Sequence, residues 1–218
     1  MISEILEILV LTSSLPKVEN KMSNVEKENI EWSKVKLFSN PNIIENLISL
    51  LNVENIDEEN WTKSYSGKYT NEKWLSYFVS TSQQGGGTQV LIKLPIPTTD
   101  ELIKIVIDSK CENEVETGCL ILIDNEEINK TEFRLELITQ LQNIIDRKRQ
   151  QKIIEKTNLT STFNRREVIG KSVNQINEDE KYFKDIAEKA KKLILLVTAR
   201  VSTASANVSL VPTRKKQQ

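Results

Sequence analysis

Apolar residues recur along most of this chain at helical spacing, and three such patterns follow one another between Thr98 and Asp146. Thr98-Thr99-Asp100-Glu101 opens the first and reads as a capping box, with Thr98 and Glu101 each satisfying the other's backbone N–H. Leu102, Ile103, Ile105, Val106 and Ile107 then predict a mostly buried helix. Val115, Cys119, Leu122 and Ile123 form a second apolar face, and Gly118 lies on it, where a missing side chain would admit a neighbouring backbone. Thr131 caps a third pattern, in which Leu137, Ile138, Leu141, Ile144 and Ile145 fit the 3.6-residue period. This third helix is expected to run on through Arg147–Lys152 to Ile153 and Ile154. Short connections would make the three helices antiparallel neighbours.

The same reading extends to both sides. Ser3 caps a short helix ending near Leu11, and Asn40-Pro41 opens another, Asn as cap and Pro in the first turn. Ile43, Ile44, Leu47, Ile48, Leu50 and Leu51 give that second helix a broad buried face, and the acidic run Glu54 to Glu59 is read as leading outward from it. From Trp61 the character changes. The aromatic, β-branched run Trp74–Thr81 and the run Val90–Leu94 flank Ser82-Gln83-Gln84-Gly85-Gly86-Gly87, which predicts a small β-hairpin stopped by Pro95 and Pro97. A last helix starts at Asn177, with Tyr182, Phe183, Ile186, Ala187, Ala190, Leu193 and Ile194 on one face.

Together these patterns predict a mainly α fold of antiparallel packed helices, in effect an all-α helical bundle, with a small β-hairpin near residues 74–94; α+β is the alternative. From Val197 to Val211 the chain contains no Ile, Lys, Glu or Asp and is suddenly rich in alanine. Residues 1–196 are therefore read as one domain and 197–218 as a disordered or extraneous tail.

Composition narrows the chemistry more than the fold. With 218 residues, 38% hydrophobic and 28% charged, the chain can bury a core without disulfides or metals. It contains no histidine, which removes Ser-His-Asp and Cys-His catalysis and the usual proton shuttle near neutral pH. Cys111 and Cys119, the two cysteines, would stand roughly 12 Å apart on one helix, too far for a disulfide. They are expected to be buried thiols in a reducing compartment. Glu4 and Glu7 interrupt the apolar start, no basic residue precedes it, and nothing approaches a membrane span. The expected location is cytoplasmic.

No catalytic motif emerges. Gly170-Lys171-Ser172 copies the end of a phosphate-binding P-loop, but Arg165 stands where the pattern needs a glycine. The triple glycine feeds a predicted strand, whereas a phosphate cradle would feed a helix N-terminus. Charge is the sharper signal. Between Glu101 and Glu136 there are ten acids and four bases, a net −6; between Arg147 and Lys171 there are eight bases and two acids, a net +6. Two solvated helix faces would account for both runs. The functional alternative is an acidic surface that attracts a basic protein. Acidic pairs such as Glu112 with Glu116 lack the ordered aspartates and glycine of a calcium loop. The basic run has only Phe163 for base stacking, which points away from nucleic acid.

Ser66-Gly67-Lys68-Tyr69, Trp74 to Phe78 and Gln83-Gln84-Gly85-Gly86-Gly87 resemble a stretch of the small immunity proteins of bacterial polymorphic toxin systems. In these an aromatic strand precedes a triple-glycine loop. The resemblance implies a protein that neutralises a cognate toxin domain by stoichiometric binding, and the acidic stretch predicts that this domain is basic. The expected function is accordingly a non-enzymatic protein-binding module without cofactor or metal. Its candidate contact residues are Glu112, Glu114, Glu116, Glu126 and Glu127, with Gly85, Gly86, Gly87, Trp74 and Tyr77 beside them. A helical-repeat scaffold for peptides or nucleic acid is the runner-up, although no fixed repeat period is present. A carboxylate-based enzyme is third and would need acids converging in a pocket.

Overall fold

The computed structural model describes residues 34–80 and 86–208, side chains being considered as far as residue 195. Two compact units emerge, Met1–Phe133 and Arg134–Gln218. The short helix expected between Ser3 and Leu11 lies outside the described residues.

The first unit is built on a five-stranded antiparallel sheet. Its strands are β1 (Leu37–Phe38), β2 (Leu51–Asp57), β3 (Thr62–Gly67), β4 (Lys73–Val79) and β5 (Thr88–Lys93), in the spatial order β1-β5-β4-β3-β2. Three helices accompany it: α1 (Pro41–Ile48), α2 (Thr99–Asp108) and α3 (Glu112–Asn129). This corrects the mainly α, helical-bundle expectation: the fold is α+β, and the expected hairpin near 74–94 is only the β4–β5 pair of a wider sheet. Nor do the described residues of this unit form a stack of helix pairs, as a helical-repeat scaffold would.

Register explains which side chains go where. Successive residues of a strand point to opposite faces, and directly paired residues share one. One face therefore carries the row Phe38, Leu91, Ser76, Lys63, Ile56 and the row Lys93, Trp74, Tyr65, Val53. Phe38, Leu91, Trp74 and Tyr65 form a core cluster with Ile43 and Ile44 of α1. The opposite face carries Leu37, Ile92, Val90 and Val79, all fully buried. There α2 and α3 pack. A Cβ added at Gly118 of α3 would lie 2.7 Å from Val106 Cγ2 of α2 and 3.8 Å from Leu37 Cδ1 of β1. The close contacts at this glycine are with side chains; of the neighbouring backbone expected there, the Leu102 carbonyl oxygen lies at 3.9 Å.

The helix starts form as their residues dictate. The Asn40 side chain accepts from the N–H groups of Asn42 and Ile43, with Pro41 in the first turn. Thr98 and Glu101 make both halves of the capping box, and these bonds hold the Glu101 carboxyl below its ordinary pKa. Leu94-Pro95 is a cis peptide at the end of β5.

The second unit contains α4 (Arg134–Leu141), α5 (Arg147–Lys156) and α6 (Val173–Val208). The single helix expected from Thr131 to Ile154 is broken. Asp146 caps α5 by accepting from the Lys148 and Arg149 N–H groups, and Ile145, placed on the apolar face by periodicity, is 93% exposed. The buried Gln150 amide donates to the Leu141 carbonyl at 2.6 Å, satisfying the end of α4 across the break. Arg134 is buried, donates to the Asn158 carbonyl at 3.1 Å and lies 5.5 Å from the Phe183 ring centroid. The α6 backbone passes through the compositional change at Val197 and stays helical to Val208; residues 209–218 lie outside the described residues. Among the described residues no helix is long and apolar enough to cross a membrane.

The contact at Gly118 yields a stability test. Gly118→Val should destabilise the first unit by about 1–3 kcal/mol, the usual cost of overpacking, because Val106 cannot swing its methyl aside. Urea unfolding of the variant and the natural protein checks this.

Candidate partner-binding surface

The acids singled out on α3 turn out to be partly internal. Glu114 is buried. Its Oε1 accepts from the Lys36 N–H at 2.6 Å and its Oε2 from the Ser109 hydroxyl at 2.6 Å, so it ties the approach to β1 onto the α2–α3 connection. Asn113 and Thr117 extend this seam through Ser39: the Ser39 N–H donates to Asn113 Oδ1 at 3.2 Å, and the Thr117 hydroxyl lies 2.9 Å from Ser39 Oγ. Glu126 is also buried, and Glu112, Glu116 and Glu127 are each half-buried. Counting charge along the segment located the acids; it could not tell which side of α3 each would occupy.

The aromatic candidates lie on opposite faces of β4. Trp74 is buried against Phe38, with ring centroids 6.1 Å apart, and Lys93 stands 5.7 Å from its ring. Tyr77 faces the other way. Burial, with the Asp124 carboxylate as the second cause, pushes its phenol up to about 12. Asp124 of α3 accepts from the buried Ser80 N–H at 2.6 Å; burial nevertheless raises its pKa, with Glu127 adding to the rise. Gly86 and Gly87 have φ of 83° and 85°, the left-handed region that favours glycine, just before β5. Gly85 lies outside the described residues. The structure thus brings Tyr77 and Asp124 together, but places Trp74 in the core.

The P-loop-like lysine is occupied by structure. Lys171 Nζ and Arg166 Nη1 both donate to Asp179 at 2.6 Å, and Arg166 lies 4.2 Å from the Tyr182 ring. Those bonds, Lys171's first, hold the Asp179 carboxyl below its ordinary pKa. Ser172 and Gln175 cap one another at the start of α6. Elsewhere, an open hollow is lined by Asn71, Glu72, Lys73, Lys93, Leu94 and Pro95, of which Lys93 and Glu72 form an ion pair. Among the described residues no cluster of three or more acids or cysteines could hold a metal.

Of the large apolar residues exposed along the chain, three gather on the β2–β3 hairpin. Val53 is 57%, Ile56 51% and Trp61 72% exposed. Val53 and Ile56 share the face of β3 that bears Tyr65 and Lys63. Trp61 meets Phe78 of β4 edge-on at 6.2 Å. The connecting turn holds its shape through Asp57, which accepts from the Asn60 N–H at 3.0 Å and from Asn60 Nδ2 at 2.7 Å; Trp61 follows with φ 54°. An apolar face, three residues strong, thus stands beside the acids Glu54, Asp57, Glu58 and Glu59.

No protein-family model matches the chain, and no curated protein or solved structure proves similar to it.

Two outcomes follow from the internal charges. Glu114→Ala strands two donors in the α2–α3 seam and should cost about 1–3 kcal/mol in urea unfolding. Asp179→Asn should lower stability at neutral pH, because the lowered folded-state pKa makes the ionised form stabilising. The difference from the natural protein should shrink as pH falls below 3.8 and through the lowered folded-state value. A pH-independent difference would show that ionisation of Asp179 is not what stabilises the α5–α6 connection.

Proposed function

We propose that this chain is a non-enzymatic, cytoplasmic protein-binding module that neutralises a partner by occluding it, in the manner of the toxin-system immunity proteins its 66–87 segment resembles. The observation that carries the reading is the exposed apolar face of Val53, Ile56 and Trp61 on the β2–β3 hairpin. Large apolar groups gathered on one face and rimmed by charge mark interaction surfaces more often than scattered ones do. Covering half-exposed Val and Ile side chains would return about 1 kcal/mol each, and a tryptophan is a frequent anchor of such interfaces.

The disposition of the charged groups supports binding over turnover. Glu114, Asp124 and Asp179, the acids most deeply engaged, accept hydrogen bonds that hold the fold together. Chemistry by carboxylates needs acids converging on a substrate-sized pocket. The two cysteines are buried, as suits thiols in a reducing compartment.

Stoichiometry tests the reading. The purified chain should abolish the activity of the protein encoded beside it at one equivalent, and Trp61→Ala should raise the Kd at least tenfold. Protection by a small fraction of an equivalent would mean turnover and overturn it, as would the absence of any complex.

A further inference from the structure

We infer that the outer edge of β2, unpaired among the described residues, accepts an extended, basic segment of a partner protein as a sixth strand of the sheet. This rests on the protein-binding reading and specifies its mode. The sheet has two edges, and they are treated differently. β1 has only two residues, Leu37 and Phe38, both buried, and α3 packs on it. β2 has seven residues, five of them consecutively exposed, and among the described residues its one strand neighbour is β3. A strand paired on one side presents its outward N–H and C=O groups to any chain that can lie alongside.

The side chains around that edge select the occupant. Glu54, Asp57, Glu58 and Glu59 are the ionisable residues between Leu51 and Trp61, a net −4 without a base. Lys63 is the hairpin's one base, on β3 opposite Ile56. The Asn60 hydrogen bonds hold the Asp57 carboxyl below its ordinary pKa and so favour its ionised form. A second copy pairing here would bring the same acids against themselves, and nucleic acid would be repelled outright. A segment alternating Lys or Arg with apolar residues satisfies the backbone, the acids, and the Val53–Ile56 face together. The register shift between Val53 and Asn55, centred on Glu54, leaves Asn55 to Asp57 in unbroken pairing with β3, where a regular partner can start.

The test uses the full chain and synthetic peptides of eight to ten residues: alternating Lys/Val, its Glu/Val counterpart, and the Lys/Val peptide N-methylated at every second amide. Amide hydrogen exchange is followed along 51–57. The basic peptide should slow exchange there at least tenfold, Glu54→Lys with Glu58→Lys should weaken its binding at least tenfold, and the N-methylated and acidic peptides should do neither. Equal binding of the N-methylated peptide would overturn strand addition, leaving charge alone. Concentration-dependent protection without peptide would assign the edge to a second copy and overturn the proposal, and unchanged exchange at millimolar basic peptide would also sink it. In the complex with the neighbouring gene's product, one-to-one binding with 51–57 still exchanging freely would reject this edge and leave the protein-binding reading intact. Protection by the basic peptide with no such complex would do the reverse.

Discussion

The β4–β5 pair sets the terms for the first unit. Val90, Leu91 and Ile92 are consecutive in β5 and all fully buried, although neighbours in a strand must point to opposite faces. A strand of that kind needs cover on both sides at once. α1 supplies it over Leu91, Trp74 and Phe38, and α2 with α3 supply it over Ile92, Val90 and Leu37. Gly118 lets α2 and α3 close on each other, and Glu114 fastens the chain entering β1 to that pair. The buried apolar groups near Leu91 and Ile92 each contribute a few kcal/mol, far more than any surface ion pair of the unit.

Cover is concentrated at the β1 side of the sheet and thins toward β2. Along one cross-strand row, Phe38 and Leu91 are buried and Ile56 is half exposed; along another, Trp74 and Tyr65 are buried and Val53 is exposed. The same hydrophobic logic that builds the core therefore leaves an apolar margin where the helices end. Charge divides in parallel. An acid such as Glu114, already accepting from two internal donors, has its field satisfied inside the protein. The acids of 54–59 flank the outer strand of the sheet among the described residues, and there they can act on something outside.

Local features are legible in the amino-acid order, and the sheet is not. Capping at Asn40 and Thr98 is a matter of three or four adjacent residues, and both caps form as their residues require. The break before α5 is also local, through Asp146, but the favourable period of Ile144 and Ile145 masked it. β2 escaped for a different reason. Leu51 and Val53 fit an alternating strand, but Ile56 falls out of phase until the extra residue Glu54 is taken up as a bulge. β3 has one fully buried side chain, Tyr65, and so carries almost no periodic signal. The exposed surface was illegible with it, since Val53 and Ile56 share a face only after that bulge is known.

What the amino-acid order determined by itself is therefore short-range: the helix starts at Asn40 and Thr98, most of the apolar faces, and the lack of histidine, although the last helix begins at Val173 and not at Asn177. Interactions over a few residues depend on types and spacing, and both are written in the chain. Tertiary structure alone decided that Glu114 is buried and fastens the chain entering β1, that Trp74 is core, and that β2 is the outer strand of the sheet among the described residues. Each of those outcomes depends on a neighbour far along the chain: Lys36 lies 78 residues before Glu114, and Phe38 meets Trp74 only across the sheet. Burial and edge position are properties of the assembled sheet, and no segment carries them alone.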